Sequence, residues 1–300
     1  QTDESMNDLR TLEQIKLRDT EWLDKYFYGK TGISKARIHK IPDIAIIDPD
    51  KLTDEQFEAL IKLVKKGALY RVLDHGESSP TCCNFYSAVN NIHIQFGEYY
   101  MPNTLISDHR QNIFDVTLDL VGEQFLDTFT DLIDPDCERK HTQKHGKQWS
   151  VCDEYSETEE ITAPAFFWQP ADNNELATRN RINELLRLQP KWMHPVTKLS
   201  PSCGIYFIKK SQRWPYGVHH TIVQTNSQRR QLLGSDNGKS IYSDDRAEGV
   251  TDHAYDPLRY YVAAHNSGYA QEIKKAPRRS FHTFNKIKKQ LKENVYAMIN

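Results

Sequence analysis

The sequence predicts an α/β protein with a mixed central sheet flanked by helices, and three observations carry that expectation. Three strand-like runs succeed one another over 68 to 74, 82 to 88 and 91 to 100, with turn signals between them. A run of helical periodicity, 104 to 121, comes next, and a fourth strand-like run, 125 to 133, follows it. The chain has 300 residues, 38% of them hydrophobic, enough for one large domain with appendages.

Ahead of the first strand, residues 1 to 60 read as a polar lead-in. It carries amphipathic helical pieces at LRTLEQIKLRD and TDEQFEALIKLVKK, the second opening on the helix-start pattern Thr53, Asp54, Glu55. After the fourth strand, ERKHTQKHGKQWS reads as a polar loop. It leads to a strand over 161 to 169, a helix over 174 to 188 and a short strand over 203 to 210. The stretch TDHAYDPLRYYVAAH, 251 to 265, is helix-like, with Pro257 at its first turn and Leu258, Tyr261 and Val262 on one face. These runs divide the chain into a lead-in (1 to 60), a main domain (61 to 270) and a basic tail (271 to 300).

Charge and cysteine content exclude several classes. No run of about 18 apolar residues exists, and QTDESMNDLR lacks the charge and apolar stretch of a signal peptide, so the expectation is a soluble, non-secreted protein with no membrane partner. Five cysteines, two of them adjacent (Cys82, Cys83), suit thiols in a reducing compartment. A net charge of -2 argues against a generic polyanion binder. It hides eight lysines and arginines against two glutamates in residues 271 to 300, which read as either a solvated helix face or a phosphate-contacting tail.

Acidic residues punctuate the predicted element ends. Asp74 closes the first strand, Asp134 closes the fourth, and Asp256 stands at the entrance of the late helix. In a sheet ordered 3-2-1-4 the first two are neighbours, and a helix packed on that sheet would bring the third to them. Clustered carboxylates repel one another, so such a group calls for a counter-charge, and hard divalent cations take oxygen ligands. The implied occupant is Mg²⁺ or Mn²⁺, as two ions about 3.5 to 4 Å apart, a pair suited to phosphodiester cleavage. Each aspartate also has a plainer role: Asp256 as a helix cap, Asp74 before His75 and Gly76 as a turn, and Asp134-Pro135-Asp136 as a turn.

The segments LDHG (73 to 76), IDPD (133 to 136) with WSVCDEY (149 to 155), and DHAYDPLRYYVA (252 to 263) resemble three signature blocks of the nuclease domain of tailed-phage large terminases. EWLDKYFYGKTG (21 to 32) is similar to the segment near that family's motor-to-nuclease junction. The resemblance implies an RNase H-like fold over 61 to 270 and a metal-dependent endonuclease that cuts concatemeric viral DNA during genome packaging. It implies metal ligands at Asp74, Asp134 and Asp256, with Asp74 bridging the two ions. Asp252 is a further ligand candidate, and His253 and His75 lie near the site. Double-stranded DNA, a motor domain, a portal and a small terminase subunit are the implied partners, in the host cytoplasm. GKT at 29 to 31 does not complete a phosphate loop, because Asp24 stands where the leading glycine belongs, so the chain reads as the nuclease part without its motor. Pro257 departs from the small helix former expected there and leaves the choice between Asp252 and Asp256 open.

Further candidates are Lys209, Lys210, Arg213, Arg229 and Arg230, interleaved with aromatics in a composition suited to phosphate contact and stacking or, for the aromatics, to core packing. Cys137, His141, His145 and Cys152 have N and S donors that could wrap zinc, in a spacing that matches no standard finger. Asp172 reads as a cap before the helix at 174 or, alternatively, as a fourth acid near the site. Two alternatives remain: a junction resolvase or transposase-type nuclease on the same fold, and a non-catalytic module that docks on DNA or a portal.

Overall fold

The computed structural model describes residues 36–266 except 145–146, 160–162 and 237–238. The strands in chain order are β1 (Ile46–Ile47), β2 (Ala68–Asp74), β3 (Thr81–Val89), β4 (Ile92–Met101), β5 (Phe129–Ile133), β6 (Lys140–Lys144), β7 (Lys147–Ser150), β8 (Gln169–Pro170), β9 (Ile205–Ile208), β10 (Arg230–Asp236) and β11 (Lys239–Arg246). The α-helices are α1 (Asp54–Lys66), α2 (Ile106–Val121), α3 (Val151–Ser156), α4 (Glu175–Leu186), α5 (His220–Ser227) and α6 (Asp256–Asn266). None of these helices is long and apolar enough to cross a membrane. The described chain divides into two compact units, residues 40–225 with 251–266, and residues 36–39 with 226–250.

The larger unit is built on a seven-stranded sheet in the order β1-β9-β4-β3-β2-β5-β8. β3 runs antiparallel to both β2 and β4, while β5 pairs with β2 in parallel. Counted from β2, this is the 3-2-1-4 order and mixed sheet that the sequence predicts for an RNase H-like fold. The short β3–β4 turn places Asn90 at φ 55, a left-handed conformation that Asn tolerates and that closes a tight hairpin. The longer passage from β4 to β5 runs through α2, as a parallel pairing requires.

Alternation along the strands sorts side chains between two helical layers. Tyr70 packs edge-on against Tyr261 of α6, and Tyr86 stacks on the same ring at 4.1 Å. Val72, Asp74, Cys82 and Asn84 share that face by register. On the opposite face Ser87 donates to the Val64 carbonyl of α1, and Leu120 of α2 lies against the backbone at Gly97. Arg71 is buried there in a two-pronged pair with Asp131 (2.6 and 2.9 Å), between the rings of Phe129 and Phe166. Two flat rings and a matched carboxylate meet the needs of a buried guanidinium.

Several expected boundaries move. The run at 125 to 133 is strand only from Phe129, because Glu123–Thr128 coils into a 3-10 helix after Gly122 at φ 89. The strand expected over 161 to 169 is reduced to β8, since 163–168 runs without a ladder partner. ERKHTQKHGKQWS is a hairpin, β6 against β7, rather than a loop. The expected boundary at 60 falls inside α1, whose capping box joins Thr53 and Gln56 (3.2 and 3.3 Å), and β1 extends the sheet through 46–47. EWLDKYFYGKTG and the tail at 271 to 300 lie outside the described residues.

The smaller unit is the antiparallel hairpin β10–β11, tied by Arg230 N to the Ala36 carbonyl (2.7 Å) and by Ile38 N to the Gln228 carbonyl (3.1 Å). Its register slips twice, between Arg230 and Gly234.

Candidate active site

Strand ends and one helix start build the site. Asp74 is the last residue of β2 and is 8% exposed. In the parallel β2–β5 ladder Leu73 faces Ile133, so Asp134, the next residue, comes out at the same end, with its N–H donating to the Leu73 carbonyl (3.0 Å). Asp134 is also the turn its sequence suggests, its Oδ1 accepting from Asp136 N at 2.9 Å. α6 begins at Asp256, and its docking on Tyr70 and Tyr86 delivers that carboxylate to the strand ends. Burial first, and then the charges of Asp256, Asp134 and Asp74, push the phenol of buried Tyr260 far above the usual tyrosine range.

Asp74 is electrostatically central. Burial pushes its carboxyl up to about 6, the charges of Asp256 and Asp134 push the same way, and a hydrogen bond from His253 opposes them. His253 Nδ1 lies 3.5 Å from Asp74 Oδ2 and 4.0 Å from Asp252 Oδ1. That bond to Asp74 raises the imidazole above its ordinary value, with Asp252 and Asp256 adding to it. Asp256 is therefore felt directly at Asp74, whereas Asp252 stands next to His253. The Asp252 carbonyl meanwhile accepts from Tyr255 N and Asp256 N (2.7 and 2.8 Å), starting the helix.

A fixed cation already sits beside this group. Arg259, 3% exposed, donates through Nη1 to Asp256 Oδ1 (2.8 Å) and through Nη2 to Asn173 Oδ1 (2.6 Å). Among the described residues no three His, Cys, Asp or Glu side chains stand close enough to hold a metal ion as they are placed. The donor chemistry nevertheless fits a hard divalent cation: all three acids offer carboxylate oxygens, and burial first, then the charges of Asp256 and Asp134, hold the Asp74 carboxyl up. Asp74, Asp134 and Asp256 are the residues that would hold it.

Sequence reasoning missed the network that positions the 252–256 turn. Asn84 Nδ2 of β3 donates to the Ala254 carbonyl and reaches Thr221 Oγ1, both at 3.0 Å. Gln224 Oε1 accepts from Ala254 N (2.7 Å), and its amide donates to Tyr100 Oη (3.3 Å). Glu98 of β4 caps α5, accepting from the N–H groups of His220 and Thr221 at 2.7 Å each and from Thr221 Oγ1 at 2.7 Å. Both backbone groups of Ala254, one residue after His253, are thus held by buried amides. The signal available was polar Asn84 and Glu98 inside strands buried on both faces, where each must find partners.

Other candidates fall elsewhere. His75 follows Asp74 but alternation turns it to the opposite face, against Tyr155 and His109, where burial first and His109 second hold its ring down at about 4. Lys209 pairs with Asp48 (3.7 Å), and Arg213 is clamped by Asp54 (2.7 Å) over the Phe57 ring. Lys210 is exposed and has no ion-pair partner among the described residues. Arg229 and Arg230 belong to the hairpin unit, Arg229 bonded to the Asn226 and Gln228 carbonyls and Arg230 to Asp244. The five basic residues thus do not share one compact unit. Of the zinc candidates, Cys137 is buried and Cys152 half-buried, burial pushing the Cys152 thiol up to about 11; His145 lies outside the described residues. Asn174 caps α4, while Asp172 Oδ1 accepts from Asn174 N at 3.0 Å, so Asp172 serves the turn before the helix.

No known protein family matches the chain, and no curated protein matches it in sequence. Its structure is similar to that of a large terminase from a thermophilic bacteriophage, at 12% identity and a TM-score of 0.46, covering 87% of this chain and 51% of that one. It is also similar to the P22 large terminase nuclease domain (11% identity, TM-score 0.42, covering 76% and 92%). A third likeness is to the large terminase nuclease domain from the bacteriophage SPP1 with bound Mn (12%, TM-score 0.43, covering 76% and 99%). The chain spans about half the length of the full terminase it resembles.

Proposed function

We propose that this chain is a metal-dependent DNA endonuclease, the nuclease part of a large terminase that cuts concatemeric viral DNA during genome packaging. The observation that carries the reading is the meeting of Asp74, Asp134 and Asp256 at two strand ends and a helix start, with Asp74 driven up to about 6. Mg²⁺ or Mn²⁺, as two ions, is the cofactor of this reading, and such a pair activates a water and stabilises the leaving oxygen of a phosphodiester. Asp74, with the charges of Asp256 and Asp134 acting on it, and those two acids would hold the ions, and Asp252, next to His253, is a further ligand candidate. His253 keeps a proton at Nδ1 against Asp74 Oδ2, 3.5 Å away, and orients that carboxylate. The products are a 5′-phosphate and a 3′-hydroxyl. Double-stranded DNA is the substrate, with a motor domain, portal and small terminase subunit as partners in the host cytoplasm.

One observation favours a second reading. Arg259 already occupies Asp256 Oδ1, a counter-charge that lets the acids persist in a non-catalytic module that docks on DNA or a portal. Plasmid cleavage across Mg²⁺ and Mn²⁺ concentrations separates the two, run beside Asp74→Ala, Asp134→Ala and Asp256→Ala. The nuclease reading expects metal-dependent nicking and linearisation that all three variants lose. Cutting that persists in the variants, or a wild type that binds DNA and never cuts it, overturns this assignment.

A further inference from the structure

Beyond the acids, the same sheet face continues into a surface that the cleavage chemistry does not use. The antiparallel ladders place Asp74 opposite Cys82 and Cys82 opposite Tyr100, so the three side chains form one row across β2, β3 and β4. Adjacent strands lie about 4.8 Å apart, which puts Tyr100 about 10 Å from Asp74, roughly three 3.4 Å rises of a nucleic-acid strand. Burial raises the Tyr100 phenol, and Asp74 contributes to that shift, so the two residues share one electrostatic neighbourhood.

Tyr100 is covered by an imidazole. The His220 ring stacks on it at 3.8 Å and 12°, and exposed His219 meets His220 edge-on at 4.9 Å. Lys210 donates its N–H to the carbonyl of Val218, the residue before His219, at 3.1 Å, and burial first, then the charges of His219 and Lys210, lower the His220 imidazole against the pull of Glu98. Lys210 is the one member of the Lys209, Lys210, Arg213 group without an ion pair among the described residues. The stack is held from behind: Glu98 pins the backbone of His219 and His220, and Gln224 joins Tyr100 Oη to Ala254 beside His253. A rigid ring pair next to an uncommitted cation, tied to the turn that carries the acids, has the elements of a strand-binding surface: flat π-faces for bases and a positive group for phosphate.

We propose that Tyr100, His219, His220 and Lys210 form a shelf that binds a polynucleotide strand beside the acids, Lys210 and His219 meeting phosphate and the Tyr100–His220 stack meeting a base. The proposal rests on the nuclease reading. Its test uses binding without cleavage: fluorescence anisotropy of a fluorescein-labelled 20-mer, single-stranded and duplex, with the whole chain in EDTA across a salt series. Lys210→Ala with His219→Ala is expected to weaken binding and to reduce the slope of log K against log salt by about 1 to 2, the loss of two phosphate contacts. His220→Ala is expected to weaken single-strand binding about 10-fold with the salt slope unchanged, as the loss of one stacked base would. Lys62→Ala, an exposed lysine of α1 on the opposite face of the sheet, is expected to bind like wild type, and the melting temperature of each variant guards against a folding artefact.

Unchanged affinity in both His220→Ala and the double variant, at an unchanged melting temperature, overturns the shelf; Asp74→Ala then still judges the nuclease reading by cleavage alone. A wild type that binds neither oligonucleotide in EDTA overturns the shelf as well, and leaves metal-dependent plasmid cleavage to decide the acids independently.

Discussion

Replacing Arg259 by methionine removes the cation that the fold has placed against its own acid cluster. The guanidinium is 3% exposed and bonds Asp256 at 2.8 Å and Asn173 at 2.6 Å. Its removal leaves Asp256 with its built-in counter-charge gone, beside Asp74 and Asp134. Breaking a buried pair costs about 3 to 5 kcal/mol because the surviving charge is uncompensated. The Asp256 side chain is 17% exposed, so water offsets part of that loss and the lower end, about 3 kcal/mol, applies. For a unit of this size about 2 to 4 °C of melting temperature follows each kcal/mol, so Arg259→Met is expected to melt about 6 to 12 °C lower. The measurement is thermal unfolding by circular dichroism at pH 7, in EDTA and then in Mn²⁺. Two further outcomes belong to the same argument: Mn²⁺ stabilises Arg259→Met more than wild type, because it replaces the missing cation, and Asp256→Asn in the Arg259→Met background recovers much of the loss. A variant that melts within about 2 °C of wild type in EDTA, or a double variant no better than Arg259→Met alone, refutes the reasoning.

The raised Asp74 carboxyl makes a signed pH prediction. Its folded value, about 6, lies above the unfolded 3.8, so the folded state holds the proton longer and this group's contribution falls as pH rises from about 4 to about 6. Neutral buried histidines titrate in the same range, so the quantity to measure is the difference in denaturant stability between wild type and Asp74→Asn. That difference should shift against wild type by about 3 kcal/mol across the window, and a flat difference would count against the site's burial. Divalent cation binding, followed by calorimetry, should strengthen over the same rise in pH as Asp74 loses its proton. Asn84→Ala removes the donor to the Ala254 carbonyl and should cost about 1 to 3 kcal/mol while weakening Mn²⁺ binding, since the 252–256 turn loses its anchor; unchanged Mn²⁺ affinity would separate the anchor from the acids. Glu98→Gln should lower the melting temperature by loosening the start of α5, which the negative carboxylate holds through two N–H groups.

Local periodicity made β2 and β4, the long helix α2 and the entrance of α6 legible, because each run is longer than the ambiguity at its ends and its apolar spacing has one solution. Positions decided by a partner were not. The run from 125 reads as strand throughout, yet Gly122 and the following turn use its first four residues for a 3-10 coil. Residues 163 to 168 are as apolar as any strand, but the ladder beside β5 is taken up only at Gln169 and Pro170. His75 looked close to the acids in the chain and is turned from them by the pleat.

The sequence by itself determined which acids stand at element ends: Asp74 after an apolar strand, Asp134 before a proline, and Asp256 before another, each where local rules stop a strand or start a helix. What only the tertiary structure decided is what surrounds them. Whether Asp252 or Asp256 faces Asp74 depends on how α6 docks against Tyr70 and Tyr86, a contact between residues about 175 to 190 positions apart in the chain. Arg259 became the cluster's counter-charge, Asn84 and Gln224 the clamps on Ala254, and Tyr100 a neighbour of Asp74 through the same closure. Burial and charge proximity set these roles, and both are properties of the packed sheet that no local run of residues contains.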